Sequence, residues 1–110
     1  MSFYQGLPDK LRIGPYDYKV VVVDKITEDK EAWGLFEQGK LSITLSNDQA
    51  NKLFAADTLL HEVLHAIYAN TGIQALTPEE GVCSAMATGI IQVLRDNPKF
   101  RTWLIKHSTL

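Results

Sequence analysis

Residues 57–72 read DTLLHEVLHAIYANTG, and their reading decides how the second half of the chain is built. The run is rich in Leu and Ala, holds no Pro and meets its first Gly at Gly72, a composition that forms a helix and then stops it. At one residue per 100°, Leu53, Ala56, Leu60, Val63, Leu64 and Ile67 fall in a stripe about 100° wide, the width a core-facing helix needs. Ser46, Asn47 and Asp48 each offer a side-chain cap, so the helix is predicted over about residues 49–70. His61 and His65 fall beside the apolar stripe rather than in it.

Downstream, Thr77-Pro78-Glu79-Glu80 carries the cap, the early Pro and the acidic first turn of a second helix, continued by GVCSAMATGIIQVLRDN at 81–97. Residues 98–110, PKFRTWLIKHSTL, are expected to form a short helix that lays Phe100, Trp103 and Leu104 on the core. Upstream the period changes. YKVVVVDKI at 18–26 is β-branched and continuous, AWGLFEQGK at 32–40 reads as a strand entering a Gly-containing turn, and LSITLS at 41–46 alternates apolar and polar. The expected fold class is α+β: a small N-terminal sheet of three to four strands packed on two long helices, with a short C-terminal helix.

A chain of 110 residues holds one core and divides poorly into two, and neither repeats nor a Pro/Gly/Ser-rich linker interrupts it, so residues 1–110 are read as a single domain. Hydrophobic residues at 45% and charged residues at 22% are ordinary for a globular protein. The net charge of -2, with Lys and Arg dispersed, gives no nucleic-acid surface. No apolar run approaches the roughly 18 residues of a membrane span, and the N-terminal stretch lacks a secretory pattern, so a cytoplasmic protein is expected. Cys83 is the sole cysteine, which excludes an internal disulfide and Cys-rich zinc schemes. A metal site here must use His and carboxylates.

His61, Glu62 and His65 stand in the order H-E-x-x-H. Two His four apart project from one helix face with converging ring nitrogens, which suits a tetrahedral zinc ion. The Glu after the first His lies roughly 100° round the helix, close enough to hold a water beside the metal without ligating it. Zinc lowers the pKa of coordinated water from about 15.7 toward about 7, and a neighbouring carboxylate then takes the proton as the water attacks a carbonyl. Glu62 is the natural base. A catalytic site needs a third protein ligand. The second helix contains no His, and the HExxHxxGxxH extension is absent, since Tyr68 and Thr71 occupy its positions. Glu79 and Glu80 are the candidates. Periodicity favours Glu79, which points along the stripe of Val82, Cys83, Met86, Ile90 and Val93.

TLLHEVLHAIY at 58–68 followed by EEGVCSAMATGIIQVL at 79–94 resembles a minimal gluzincin-type zinc metallopeptidase domain, similar to small peptidases of phages and mobile elements, including the family that cleaves immunity repressors. The resemblance spans about residues 41–94. It implies a zincin-like fold, a peptide or protein substrate and a helix-borne Glu as third ligand. In such families small, polar, large and small residues follow that Glu at three, four, six and seven positions. Counting from Glu80 gives Cys83, Ser84, Met86 and Ala87, which match; counting from Glu79 gives Val82, Cys83, Ala85 and Met86, which match less well. By resemblance, then, Zn2+ is held by His61, His65 and Glu80, against the periodicity. Ser84 stands where the family usually carries Asp or Asn, a weaker partner for a ligand His. The strand at 41–45 would be the sheet edge along which an extended substrate pairs through its backbone.

Tyr68 and His107 are candidates to stabilise the oxyanion; each has a plainer reading, as a core-edge aromatic and as a solvated residue near the chain end. Asp57 reads either as a support for His61 or as an acidic residue early in a helix. Cys83 reads as a small buried residue, and Trp33 and Trp103 as packing aromatics. The expected activity is zinc-dependent peptide-bond hydrolysis with Glu62 as general base. The alternative is a zinc-binding regulatory or interaction module of the same fold with little turnover.

Overall fold

The computed structural model describes residues 2–26, 33–73 and 77–109. Strands β1 (Lys10–Ile13), β2 (Tyr16–Val23), β3 (Gly34–Glu37) and β4 (Ser42–Ser46) precede helices α1 (Lys52–Thr71), α2 (Glu79–Asp96) and α3 (Pro98–His107). The α+β order expected from the sequence is present, with the strands in one mixed sheet of order β1-β2-β4-β3. β1 and β2 form an antiparallel hairpin that turns at Gly14, whose φ of 59° is one a side chain resists. β2 runs parallel to β4, and β3 returns antiparallel on the far side of β4.

This order corrects one expectation. The strand at 41–45 is not an edge: β4 lies between β2 and β3, and the edge on that side is β3. The alternation of LSITLS reports which faces are covered. It carries no information about lateral neighbours, which decide whether a strand is an edge.

Register explains the core. Leu11 pairs with Tyr18 on β1 and β2, Val20 pairs with Ile43 on β4, and Phe36 of β3 pairs with Ile43, all in the core that faces the helices. Against them α1 sets Ala55, Leu59, Val63, Ala66 and Ile67, and α3 sets Phe100 and Trp103. Burying each of the larger of these side chains, such as Leu59, Ile67 and Phe100, stabilises the fold by about 1.5–3 kcal/mol before chain entropy is counted.

α1 departs from its predicted orientation. Its buried residues are Ala55, Ala56, Thr58, Leu59, Glu62, Val63, Ala66 and Ile67, while Leu53 is 40% exposed. The covered face is therefore turned by roughly 100°, about one residue's worth, toward Glu62. The cap also moves. Asn51 Oδ1 accepts from Phe54 N at 2.9 Å, because Ser46 and Gln49 are engaged in the turn that ends β4: Asp48 N donates to Ser46 Oγ at 3.0 Å, and Gln49 Nε2 donates to Ser46 O at 2.8 Å. Gly72, with a φ of 71°, ends the helix as expected.

α2 begins with Pro78 as its N-cap and no side-chain cap bond, one residue later than the Thr77 reading implied. It buries only Val93 in full; Val82, Met86 and Ile90 are half-buried, and Cys83 is exposed, against the expectation of a buried thiol. At the α2–α3 junction the buried Asn97 docks on β1: Arg12 N donates to its Oδ1 at 2.8 Å, and its Nδ2 donates to Arg12 O and Val93 O, each at 2.8 Å. No described helix is long and apolar enough to cross a membrane.

Candidate functional site

α1 carries His61 and His65 on its exposed side and Glu62 on its buried side, as the one-residue offset between them dictates. The two Nε2 atoms stand 3.1 Å apart and the rings meet edge to face. The 3.1 Å separation is a hydrogen-bond distance, and it is also close to the roughly 3.3 Å between two imidazole nitrogens bound tetrahedrally at the usual Zn–N distance. Phe36 of β3 lies parallel to the His65 ring at 6.1 Å between centroids and limits its rotation. With Gly34, Leu35 and Phe36, the residues His61, Glu62 and His65 line a cleft of about 250 Å³ between α1 and β3.

Glu62 forms the floor of that cleft and is 6% exposed. Burial pushes its carboxyl above the usual carboxylate range, and the neighbouring His61 and His65 draw it partly back. A base raised in this way keeps more affinity for a proton at neutral pH than a solvated Glu would. On its other side Tyr4 donates to Ala55 O at 3.3 Å; burial, with a further contribution from Glu62, holds the Tyr4 phenol well above its ordinary value. Tyr4 thus presents a neutral hydroxyl.

β3 is seated over α1 by a chain of polar contacts. Gln49 Nε2 donates to Trp33 O at 3.1 Å, and Thr58 Oγ1 donates to Gln49 Oε1 at 3.3 Å. Trp33 adds an edge-to-face contact with Phe54 at 5.2 Å. The bond from Ser46 N to Trp33 O at 2.9 Å fixes the antiparallel pattern, in which alternate residues point their backbone groups to the partner strand. Gly34 and Phe36 therefore direct N–H and C=O away from β4, on the cleft side, where they find no partner among the described residues.

The structure brings together three of the residues singled out from sequence: His61, Glu62 and His65. Glu79 and Glu80 lie exposed in the first turn of α2 and do not line this cleft. Among the described residues no group of three or more His, Cys, Asp or Glu stands close enough to hold a metal. Tyr68 is exposed outside the cleft. His107 belongs to a different hollow of about 480 Å³ with Lys99 and Lys106, where its ring stacks on Trp103 at 4.2 Å and its Nδ1 lies 2.9 Å from Trp103 O. Neither proposed oxyanion donor thus reaches the His pair. A larger, mostly apolar hollow of about 550 Å³ lies between α1, α2 and the β1–β2 turn; it contains no His, Asp, Glu or Cys.

Sequence reasoning missed Gly34, Phe36, Thr58 and Gln49 as parts of the site. Only Gly34 left a trace, a Gly inside a strand pattern, which marks close backbone approach. No protein-family model, characterised protein or solved structure matches the chain.

Proposed function

We propose that this chain is a cytoplasmic, zincin-like zinc peptidase in which His61, His65 and Glu80 hold Zn2+ and Glu62 is the general base. The observation that carries the reading is the pair of imidazole nitrogens 3.1 Å apart above a buried carboxylate, at the mouth of a cleft walled by a strand edge. The bound ion supplies a Lewis acid that acidifies water and polarises the scissile carbonyl. The protein supplies the rest. An extended peptide pairs with the outward N–H and C=O groups of Gly34 and Phe36 on β3, the edge that replaces the 41–45 strand in this role. That pairing lays its backbone along the cleft containing Glu62. Glu62 takes the proton from the attacking water and returns it to the leaving amine, from its place on the floor of the cleft beside the His pair. Glu80, which stands exposed outside the cleft, is assigned by the likeness of residues 79–94 to the metallopeptidase pattern alone.

Metal analysis, ligand variants and turnover test this reading together. Wild type should bind about one zinc per chain, and His61→Ala and His65→Ala should each abolish stoichiometric binding. Glu80→Gln should weaken zinc strongly while Glu79→Gln stays near neutral; the reverse ranking in a competition titration transfers the role to Glu79. Glu62→Gln should keep the zinc and lose about 10²-fold to 10⁴-fold in cleavage of a peptide library. Chelator-sensitive cleavage unchanged in Glu62→Gln would refute the mechanism.

A second reading, a zinc-holding regulatory or interaction module with little turnover, draws on the cleft's size. At about 250 Å³ it falls below the roughly 300–1,000 Å³ common for substrate pockets. Zinc binding without any cleavage would favour it.

A further inference from the structure

Gly34 is the one residue of β3 without a side chain, and it sits directly over the proposed base. In the β3–β4 register Gly34 pairs with Leu45, a buried residue of the sheet's helix-facing side, so a side chain at position 34 would point toward α1. A Cβ there would come within 2.8 Å of Glu62 Oε2 and 3.0 Å of both Glu62 Cγ and Thr58 Cγ2. The shortest of these contacts is with the free end of a flexible side chain. A methyl group at position 34 would therefore press first on the Glu62 carboxylate, with a second, stiffer contact on Thr58 that Glu62 truncation does not relieve. Thr58 lies one helical turn before Glu62 and is bonded to Gln49, which also binds Trp33 O, so the strand and the helix are fixed on both sides of this contact.

The geometry points to Gly34 as a positioning residue: its missing side chain is what lets the Glu62 carboxylate lie against the β3 backbone, beneath the edge on which a peptide pairs. This rests on the peptidase reading for its consequence in turnover, and on the contact distances alone for its consequence in the fold. The three atoms nearest a Cβ at position 34 belong to Glu62 and Thr58, and none of them to an imidazole, so a methyl group there meets the base before the His pair.

The test has two arms, with Gly39→Ala as the control, since a Cβ at Gly39 meets nothing within 4 Å. In the first, melting temperatures of metal-free protein are measured for Gly34→Ala, Glu62→Ala and the double variant. Gly34→Ala should lower the midpoint by about 4–8 °C, the size of a mild overpacking, and by half as much or less once Glu62 is truncated. Equal losses in both backgrounds would overturn the proposal. In the second arm zinc-loaded protein is assayed on a quenched fluorescent peptide library. Gly34→Ala should keep about one zinc per chain and an unchanged KM while kcat falls at least about 10-fold, and adding Glu62→Asp, which draws the carboxylate back by one methylene, should recover part of it. A kcat equal to that of Gly39→Ala would overturn the positioning role even if the melts are coupled. If wild type loaded with zinc cleaves nothing, the peptidase reading falls, and the melting arm alone decides whether Gly34 seats Glu62.

Discussion

At the β1 edge the backbone of Arg12 is met on both its groups by side chains from far along the chain: Asn97 binds its N–H and its C=O at 2.8 Å, and Gln92 Nε2 adds a bond to the same C=O at 3.1 Å. Gly14 N in turn donates to Gln92 Oε1 at 2.8 Å. At the β3 edge the corresponding groups of Gly34 and Phe36 face a cleft and have no partner among the described residues. A primary amide offers one donor side and one acceptor side, the same pair a neighbouring strand would present. Two amide side chains therefore cover the β1 edge at Arg12 without a strand and shorten the template for unwanted pairing, while the outward groups of Lys10 keep no partner among the described residues. The edge left open is the one beside His61, Glu62 and His65. The contrast is between an edge covered by side chains at Arg12 and one left uncovered where a peptide is proposed to bind.

The contrast breaks most visibly at Asn97. Asn97→Ala removes three hydrogen bonds and leaves the Arg12 N–H without its partner, while the Arg12 C=O keeps its bond from Gln92 Nε2, so a loss of up to about 3 kcal/mol is expected in urea unfolding, at about 1 kcal/mol per bond. In the same variant the Arg12 amide, slow to exchange with deuterium in wild type, should become as fast as those of Gly34 and Phe36. An Arg12 amide that exchanges fast already in wild type would remove the distinction between the two edges.

Gln49→Ala acts at the opposite end of the sheet. It frees Trp33 O, Ser46 O and the Thr58 hydroxyl together, but Trp33 O keeps its bond from Ser46 N, so the expected loss is nearer 2 kcal/mol. Exchange should quicken along β3 and stay slow along β1. A loss confined to β1 would show that Gln49 does not hold the open edge.

The smallest effect concerns Glu62 and is read from pH. Burial raises the folded-state proton affinity of this carboxyl, so its contribution to stability is full below the unfolded value of about 4.3 and is lost as pH rises through the higher folded value. Metal-free Glu62→Gln should therefore melt close to wild type at pH 4 and above it at pH 8. A difference that shrinks as pH rises would contradict the assigned direction.

Much of this architecture is legible in the residues, for reasons that also mark the limits. The helix over 52–71 and its Gly72 stop follow from composition and local conformation, and the HExxH spacing places two imidazoles on one face because 3.6 residues make a turn. What one face rests against is a tertiary matter. Leu53 and Leu60 are as apolar as Leu59, and it is the packing of α1 on the sheet and on the other helices that turns Glu62 in and leaves Leu53 out. The edge was misassigned for the same reason, since β4 became central when β3 crossed to its far side. Asn97 and Gln49 carry no signal in a linear reading; each is an ordinary polar residue beside a helix end until the backbone it meets is known.

The Asn97 clamp also sets an order of events. Its amide stands 85 residues after the Arg12 backbone it covers, and the Trp103 indole stands 100 residues after the Phe3 carbonyl it meets. A hairpin such as β1–β2 closes in about 1–10 μs, whereas synthesis at about 5–20 residues per second takes roughly 4–17 s to add 85 residues. During that interval the outer side of β1 is bare, and neighbouring nascent chains present the same bare strand. The β1 backbone that the finished molecule covers at Arg12 is thus uncovered throughout most of its making, and crowding of ribosomes on one message is the condition under which the chain is most exposed to pairing with its own copies.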